Sequence, residues 1–436
     1  MRLLPCHLVI LGLTSVLSVA QMNMPGTNMP GTKMNMDTSQ PAWAPSPHVS
    51  SGTGWQPAAI VPHAWMKSLN GWDLMAHGVV FIDYNQAGGP RGEAKAESVN
   101  WAMLMQQHQF AGGKILFREM LSAESLTSPH PGFPELFQTG ETYHGQPLVD
   151  HQHPHNVFSE LALNYTRPIG GQNSWEKLSW LFYGAAAGEP ALGPVAYVHR
   201  ASAAELPMAP LSHHLQDSTH ISFGVLTTGL VISRLKVEGS VFNGREPGEK
   251  RYEINFAPLD SWSTRLSIAP SRNWTAQYSY GRLEHPEALE PGSQRRQTAS
   301  VEYVRPLTGK LGDGSWATSL IWGRVHKVAD DHNLNGYTFE STLNFMSKNY
   351  AFTRLELVDK DELFPNNPLM PSYRIGAYTF GGERDLVQSK QWQFAAGADV
   401  TFYSKPQSLN ASYGDNPVSF QIFLRLRPSR TAQHAH

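Results

Sequence analysis

The sequence predicts an all-β chain closed into a transmembrane antiparallel β-barrel of about 16 strands (14–18), with short turns at one end and long loops at the other. Three observations lead there. Apolar and polar residues alternate over most of 71–428, and connector lengths alternate between long and tight. Beyond the N-terminus, no apolar run reaches the roughly 18 residues that a spanning helix needs.

The 436 residues carry 34 Lys and Arg against 36 Asp and Glu. That balance excludes a basic nucleic-acid binder and a chain driven by an acidic tail. The opening "MRLLPCHLVILGLTSVLSVAQ" has Arg2, an apolar run and the small-residue site Ser18-Val19-Ala20. It reads as a signal peptide over 1–20. Cys6 lies inside it, so the exported chain is expected to hold no disulfide and no thiolate. Residues 21–70 follow as a flexible periplasmic arm rich in Met, Pro and Gly, with NMPGT at 23–27 repeated at 28–32.

From Trp72 the period is two. In "YTFESTLNF", Tyr337, Phe339, Leu343 and Phe345 share one face, and Thr338, Glu340, Thr342 and Asn344 share the other. "WTAQYSY" at 274–280 and "RLKVEGSV" at 234–241 behave alike, and "VSFQIFLRLR" puts Val418, Phe420, Ile422, Leu424 and Leu426 on one face. Sixteen segments follow, near 73–84, 97–110, 113–122, 156–166, 175–186, 218–231, 233–243, 260–270, 272–284, 295–305, 315–328, 336–346, 348–358, 371–381, 390–403 and 417–427. On this facing, an Arg replacing Leu343 meets lipid, whereas an Arg replacing Thr342 meets the lumen and is tolerated. Inward charges are expected at Arg234, Lys236, Glu238, Arg265, Glu340, Arg354, Arg425 and Arg427, and their mixed signs predict weak ion selectivity.

A soluble sandwich or propeller is the competing architecture. Long links over 85–96, 123–155, 187–217, 244–259, 285–294, 359–370 and 404–416 alternate with tight ones, which favours a barrel. Trp72, Trp175, Trp262, Trp274, Trp316 and Trp392 near strand ends suit interfacial girdles. On these features the span 71–428 resembles Gram-negative outer-membrane β-barrels of the porin type. The terminal strand "FQIFLRL" matches their aromatic ending, while the tail over 429–436 departs from it. The resemblance implies residence in the cell outer membrane, with outer-membrane lipid and the barrel-assembly machinery as partners and no nucleic acid. It further implies passage or surface binding, and large barrels of this type commonly fold a long loop into the lumen.

Eight of the 19 histidines lie between His144 and His220, in two long loops at one end. "DHQHPHN" sets His151, His153 and His155 at alternate positions behind Asp150, and alternate side chains on an extended chain point one way. Asp150, His151, His153, His155, His213, His214 and His220 are therefore candidate metal ligands or orienting partners, since imidazole suits Cu(II), Zn(II) and Ni(II). The alternative is that these rings hydrogen-bond loop carbonyls and carboxylates. Met22, Met24, Met29, Met34 and Met36 form a second candidate set, because thioethers favour Cu(I) and the arm has no core for them to fill. Met-rich segments of this kind resemble those of copper-handling proteins, including outer-membrane copper-resistance proteins. A low-complexity spacer is the alternative. Arm and loops form one site only if the arm threads the lumen, which its length permits.

No G-x-S-x-G, H-E-x-x-H, P-loop or dinucleotide fingerprint occurs, so no enzyme is expected. The leading expectation is an outer-membrane channel or binding barrel handling copper or another transition metal. No cofactor is required, and copper and zinc are the candidate ions. A general porin for small polar solutes stands second, and an outer-membrane hydrolase third.

Overall fold

Sixteen antiparallel strands follow one another round a closed wall in the computed structural model, which describes residues 41, 43–128, 130–170, 177–290, 292–367 and 371–430. In chain order they are β1 (Trp72–Gln86), β2 (Asn100–Phe110), β3 (Gly113–Leu121), β4 (Phe158–Pro168), β5 (Leu178–Gly188), β6 (Ser222–Ile232), β7 (Leu235–Phe242) and β8 (Ser261–Ser271). The second half is β9 (Trp274–Glu284), β10 (Ser293–Leu307), β11 (Gly314–Lys327), β12 (His332–Phe345), β13 (Asn349–Lys360), β14 (Tyr373–Gln388), β15 (Trp392–Ser404) and β16 (Val418–Pro428). The signal peptide and the five arm methionines lie outside the described residues, as do Trp175 and the tail from 431.

Closure falls on β1. Its second half pairs with β16, from Val80 opposite Leu426 to Gln86 opposite Phe420, and its first half pairs with β2. The short strand Ala64–Leu69 pairs with that first half, beyond the end of β16. Asn70-Gly71 makes the hairpin between them, with both residues at positive φ, the conformation an Asn-Gly turn favours. Ala94–Glu97 extends β1 in the same way at the loop end.

The facing follows the pleat. Ile422 and Leu320 are 58% and 60% exposed on the outside, whereas Glu340 and Arg425 are fully buried within. Trp274 and Trp316 flank Tyr303 at ring-centroid distances of 4.5 and 5.6 Å, beside the turns, and all three lie on the lipid-facing side. Closure satisfies every edge of the wall with a neighbour, as an apolar surround demands. The chain is therefore expected to stay compact in SDS until heated, and a band that does not shift on heating would contradict the closed wall.

Two differences from the sequence reading concern the arm and one charge. Residues 43–62, expected within a flexible periplasmic arm, lie inside the barrel with Ser50, Ser51, Thr53 and Gln56 buried. Arg234, expected in the lumen, sits in the tight turn between β6 and β7, exposed, with its guanidinium 5.1 Å from the Trp43 ring. Pairing of Ile232 with Leu235 leaves only Ser233 and Arg234 to reverse the chain, which takes Arg234 out of the pleat.

Candidate functional site

The interior is a lattice of charged side chains into which two segments fold. One is the loop from Glu189 to Ile221, between β5 and β6. It crosses the lumen to the far wall, where Arg200 donates to Glu340 on β12 at 2.9 and 3.1 Å. Arg354 on β13 donates to the same carboxylate at 3.0 Å, so Glu340 is held between two guanidiniums. Five residues on, Glu205 accepts from Arg427 at 2.8 Å and from Arg425, whose guanidinium also meets Asp385 at 2.6 Å. Burial pushes the Glu205 carboxyl up, but Arg425 and Arg427 outweigh it and hold it at about 2. Ser212 donates to Glu356 at 2.7 Å and completes the crossing.

Thr342, where an Arg is expected to be tolerated, is buried and donates to the Ser202 carbonyl at 2.8 Å. The crossing loop fills the space that the sequence reading left to solvent, so Thr342→Arg would displace it.

The second segment rises from the turn end and returns to it. Trp43 lies over Arg234 of one turn, and the Ala59 amide donates to Arg272 of another at 2.8 Å. Between them Gly52 donates to Glu160 on β4 at 2.9 Å, and its carbonyl accepts from Arg118 on β3. The Thr53 carbonyl accepts from Lys236, and Thr53 Oγ1 accepts from Arg265 at 2.9 Å. Gly52 has φ +55, and a Cβ there would come within 2.8 Å of the Glu189 Cβ, so only glycine brings the segment this close to the crossing loop. Trp55 stacks under Lys236, whose Nζ is 4.9 Å from the ring. Of the eight lumen charges expected from sequence, Lys236, Glu238, Arg265, Glu340, Arg354, Arg425 and Arg427 are buried on the inner side. A cavity of about 160 Å³ remains between the two segments, with His48, His63, His77, His199 and Arg427 in its lining.

The histidines gather where the loop between β3 and β4 meets the crossing loop. They do not share one centre. His151 reaches Glu93 at 3.0 Å, His153 reaches Glu141 at 2.6 Å and His155 reaches Glu124 at 2.8 Å. Asp150 has φ +59 and pairs with Arg91 at 2.6 Å, so it orients none of the three rings. On the crossing loop, His213 pairs with Asp217 at 2.7 Å and His214 lies 3.7 Å from Glu246. Gly140 packs directly on the His214 ring, where a Cβ would clash at 2.7 Å. Across the two loops, His153 and His214 stand 5.7 Å apart between ring centroids, and His155 and His220 stand 5.3 Å apart. Burial holds His220 well below the ordinary imidazole range, with His213 and His155 adding to the effect. Burial acts on His155 too, but the Glu124 carboxylate outweighs it and raises that ring.

Among the described residues, the one trio of His, Cys, Asp or Glu with ligand atoms mutually within 4.8 Å is Glu287, Glu290 and Glu362. Lys327 occupies it as a cation, with Nζ 2.7 Å from Glu290 and 3.1 Å from Glu362. Sequence reasoning missed Glu124, Tyr197, Arg200, Glu205 and Asp217. For Arg200 and Glu205 the signal is charge retained in the apolar-rich stretch "GPVAYVHRASAAE" at 193–205.

No protein-family model matches the chain, and no curated protein does. Solved structures do. An anion-selective porin from Comamonas acidovorans aligns with TM-score 0.50 at 9% identity, over 81% of this chain and 99% of that one. OmpF of Salmonella typhi, in complex with daunomycin, aligns at 0.48 and 9% identity, over 83% of this chain and 100% of that one. OprB of Pseudomonas putida aligns at 0.48 and 11% identity, over 82% and 94%. The chain has the fold of Gram-negative outer-membrane porins, and its exposed apolar belt is the surface such a barrel turns to lipid.

Proposed function

We propose that this outer-membrane barrel is a general channel for small polar solutes, narrowed at rest by its two inward segments. The observation that carries the reading is the crossing loop, tied to the far wall through Arg200–Glu340 and Glu205–Arg427. A loop anchored in this way sets a constriction and lines it with both signs of charge. Such a lining neither concentrates nor repels ions of one sign, so cation and anion permeabilities are expected to be nearly equal. Copper or other transition-metal handling, the leading expectation from sequence, draws on the arm methionines, which lie outside the described residues, and on a shared histidine centre that His151 and His153 do not join, whereas the porin reading draws on the crossing loop.

Single-channel conductance in planar bilayers tests it. The full chain is expected to conduct weakly, and a chain lacking residues 43–60 severalfold more, because the segment rising from the turn end is gone. If neither chain conducts while both remain heat-modifiable in SDS, the channel reading is wrong.

A further inference from the structure

His155 and His220 face one another with Nε2 atoms 3.2 Å apart. Each ring is fixed from behind. His155 Nδ1 lies 2.8 Å from Glu124 Oε2, and His220 Nδ1 lies 2.8 Å from the Asp217 carbonyl. A carboxylate and a carbonyl can only accept, so each Nδ1 carries a proton, and in the neutral form of either ring Nε2 is the acceptor. Two lone pairs then point into one gap. One proton held between the two Nε2 atoms, or a metal ion in its place, satisfies that arrangement.

Tyr197 supplies a third donor atom, with its hydroxyl 3.4 Å from His155 Nε2. All three residues are buried, exposed by 7% or less. Nitrogens about 2.0–2.1 Å from a tetrahedral ion stand about 3.4 Å apart, close to the spacing found here. Metal-bound imidazoles characteristically give their other N–H to a carboxylate or a carbonyl, and both rings already do so. Glu124 is itself held rigid, since Oε2 also accepts the His155 amide at 2.8 Å and Oε1 the Asn100 amide at 3.3 Å.

We infer that His155 Nε2 and His220 Nε2, with the Tyr197 hydroxyl beside them, form a binding site for one divalent ion of the Zn(II) and Cu(II) class. The site draws one imidazole from each of two loops, so a bound ion staples the β3–β4 loop to the loop that crosses the lumen. It differs from the centre expected from the His-x-His spacing, because His151 and His153 turn to other carboxylates. Binding requires no solute passage, so a silent barrel in the conductance test would not bear on it.

The test is Zn(II) alone, titrated calorimetrically into the folded full chain in detergent after chelator treatment, with Cu(II) electron paramagnetic resonance as the second readout. The unaltered chain is expected to take up one more ion than His155→Gln or His220→Gln, each checked for heat-modifiability. His151→Gln is expected to bind like the unaltered chain. Glu124→Gln, which keeps an acceptor but loses the charge, is expected to weaken the site 10–100-fold. The Cu(II) spectrum should show nitrogen coupling that disappears in His155→Gln. Equal uptake by the unaltered chain, His155→Gln and His220→Gln would overturn the assignment and leave a pair that shares a proton only.

Discussion

Glu340→Ala should cost about 3–5 kcal/mol, because it leaves two buried guanidiniums facing a gap. Arg200 gives this carboxylate its Nε and Nη2 while Nη1 goes to Asp217, Arg354 gives it its Nε, and Arg200 is fully enclosed. The loss divides between two effects. The wall loses the β12–β13 contact through Arg354, and the crossing loop loses its anchor through Arg200. Urea unfolding in detergent reads the first, and a rise in single-channel conductance reads the second. A change below about 1 kcal/mol, within the range of an exposed pair, would mean that water in the lumen screens the cluster.

The second large effect lies on the opposite face. Leu320 is at mid-strand on β11, 60% exposed, opposite Phe339 of β12. Leu320→Arg places a cation at the height where lipid is most apolar and should cost about 2–4 kcal/mol, against about 0–1 near an interface. Leu343, marked from sequence as the lipid-facing test, is opposite Trp316 and only three residues from the turn after β12. An Arg there can extend to the headgroups and should cost less. Refolding yield into bilayers checks both, and equal damage from the two would show that depth does not govern the cost.

The wall was legible because a strand with lipid on one side and water or charge on the other must alternate, and that constraint is written residue by residue. "YTFESTLNF" needs no distant partner to declare its faces. What fills the wall was not legible, because its partners are distant in sequence. Residues 43–62 have no period, and they meet Lys236 and Arg118 largely through backbone carbonyls, which any residue possesses. The histidine spacing misled for a local reason. Asp150 at positive φ and Pro154 interrupt the extended run, so alternate rings reach three different glutamates. Arg200 and Glu205 look like ordinary loop charges until Glu340, Arg425 and Arg427 are set across from them.

The segment over 43–62 enters and leaves the barrel at the same end, near Arg234 and Arg272. Its path is therefore a finger and not a thread. It can withdraw, or seat itself after the wall has closed, without parting a single strand pair, and no knot forms in either direction. Its downstream side is moored by Ala64–Leu69, so tension on its upstream side would peel its hydrogen bonds one after another, beginning at the turn end. Such a pull would widen the lumen beside the crossing loop, and it would have to be applied from the side on which the turns lie.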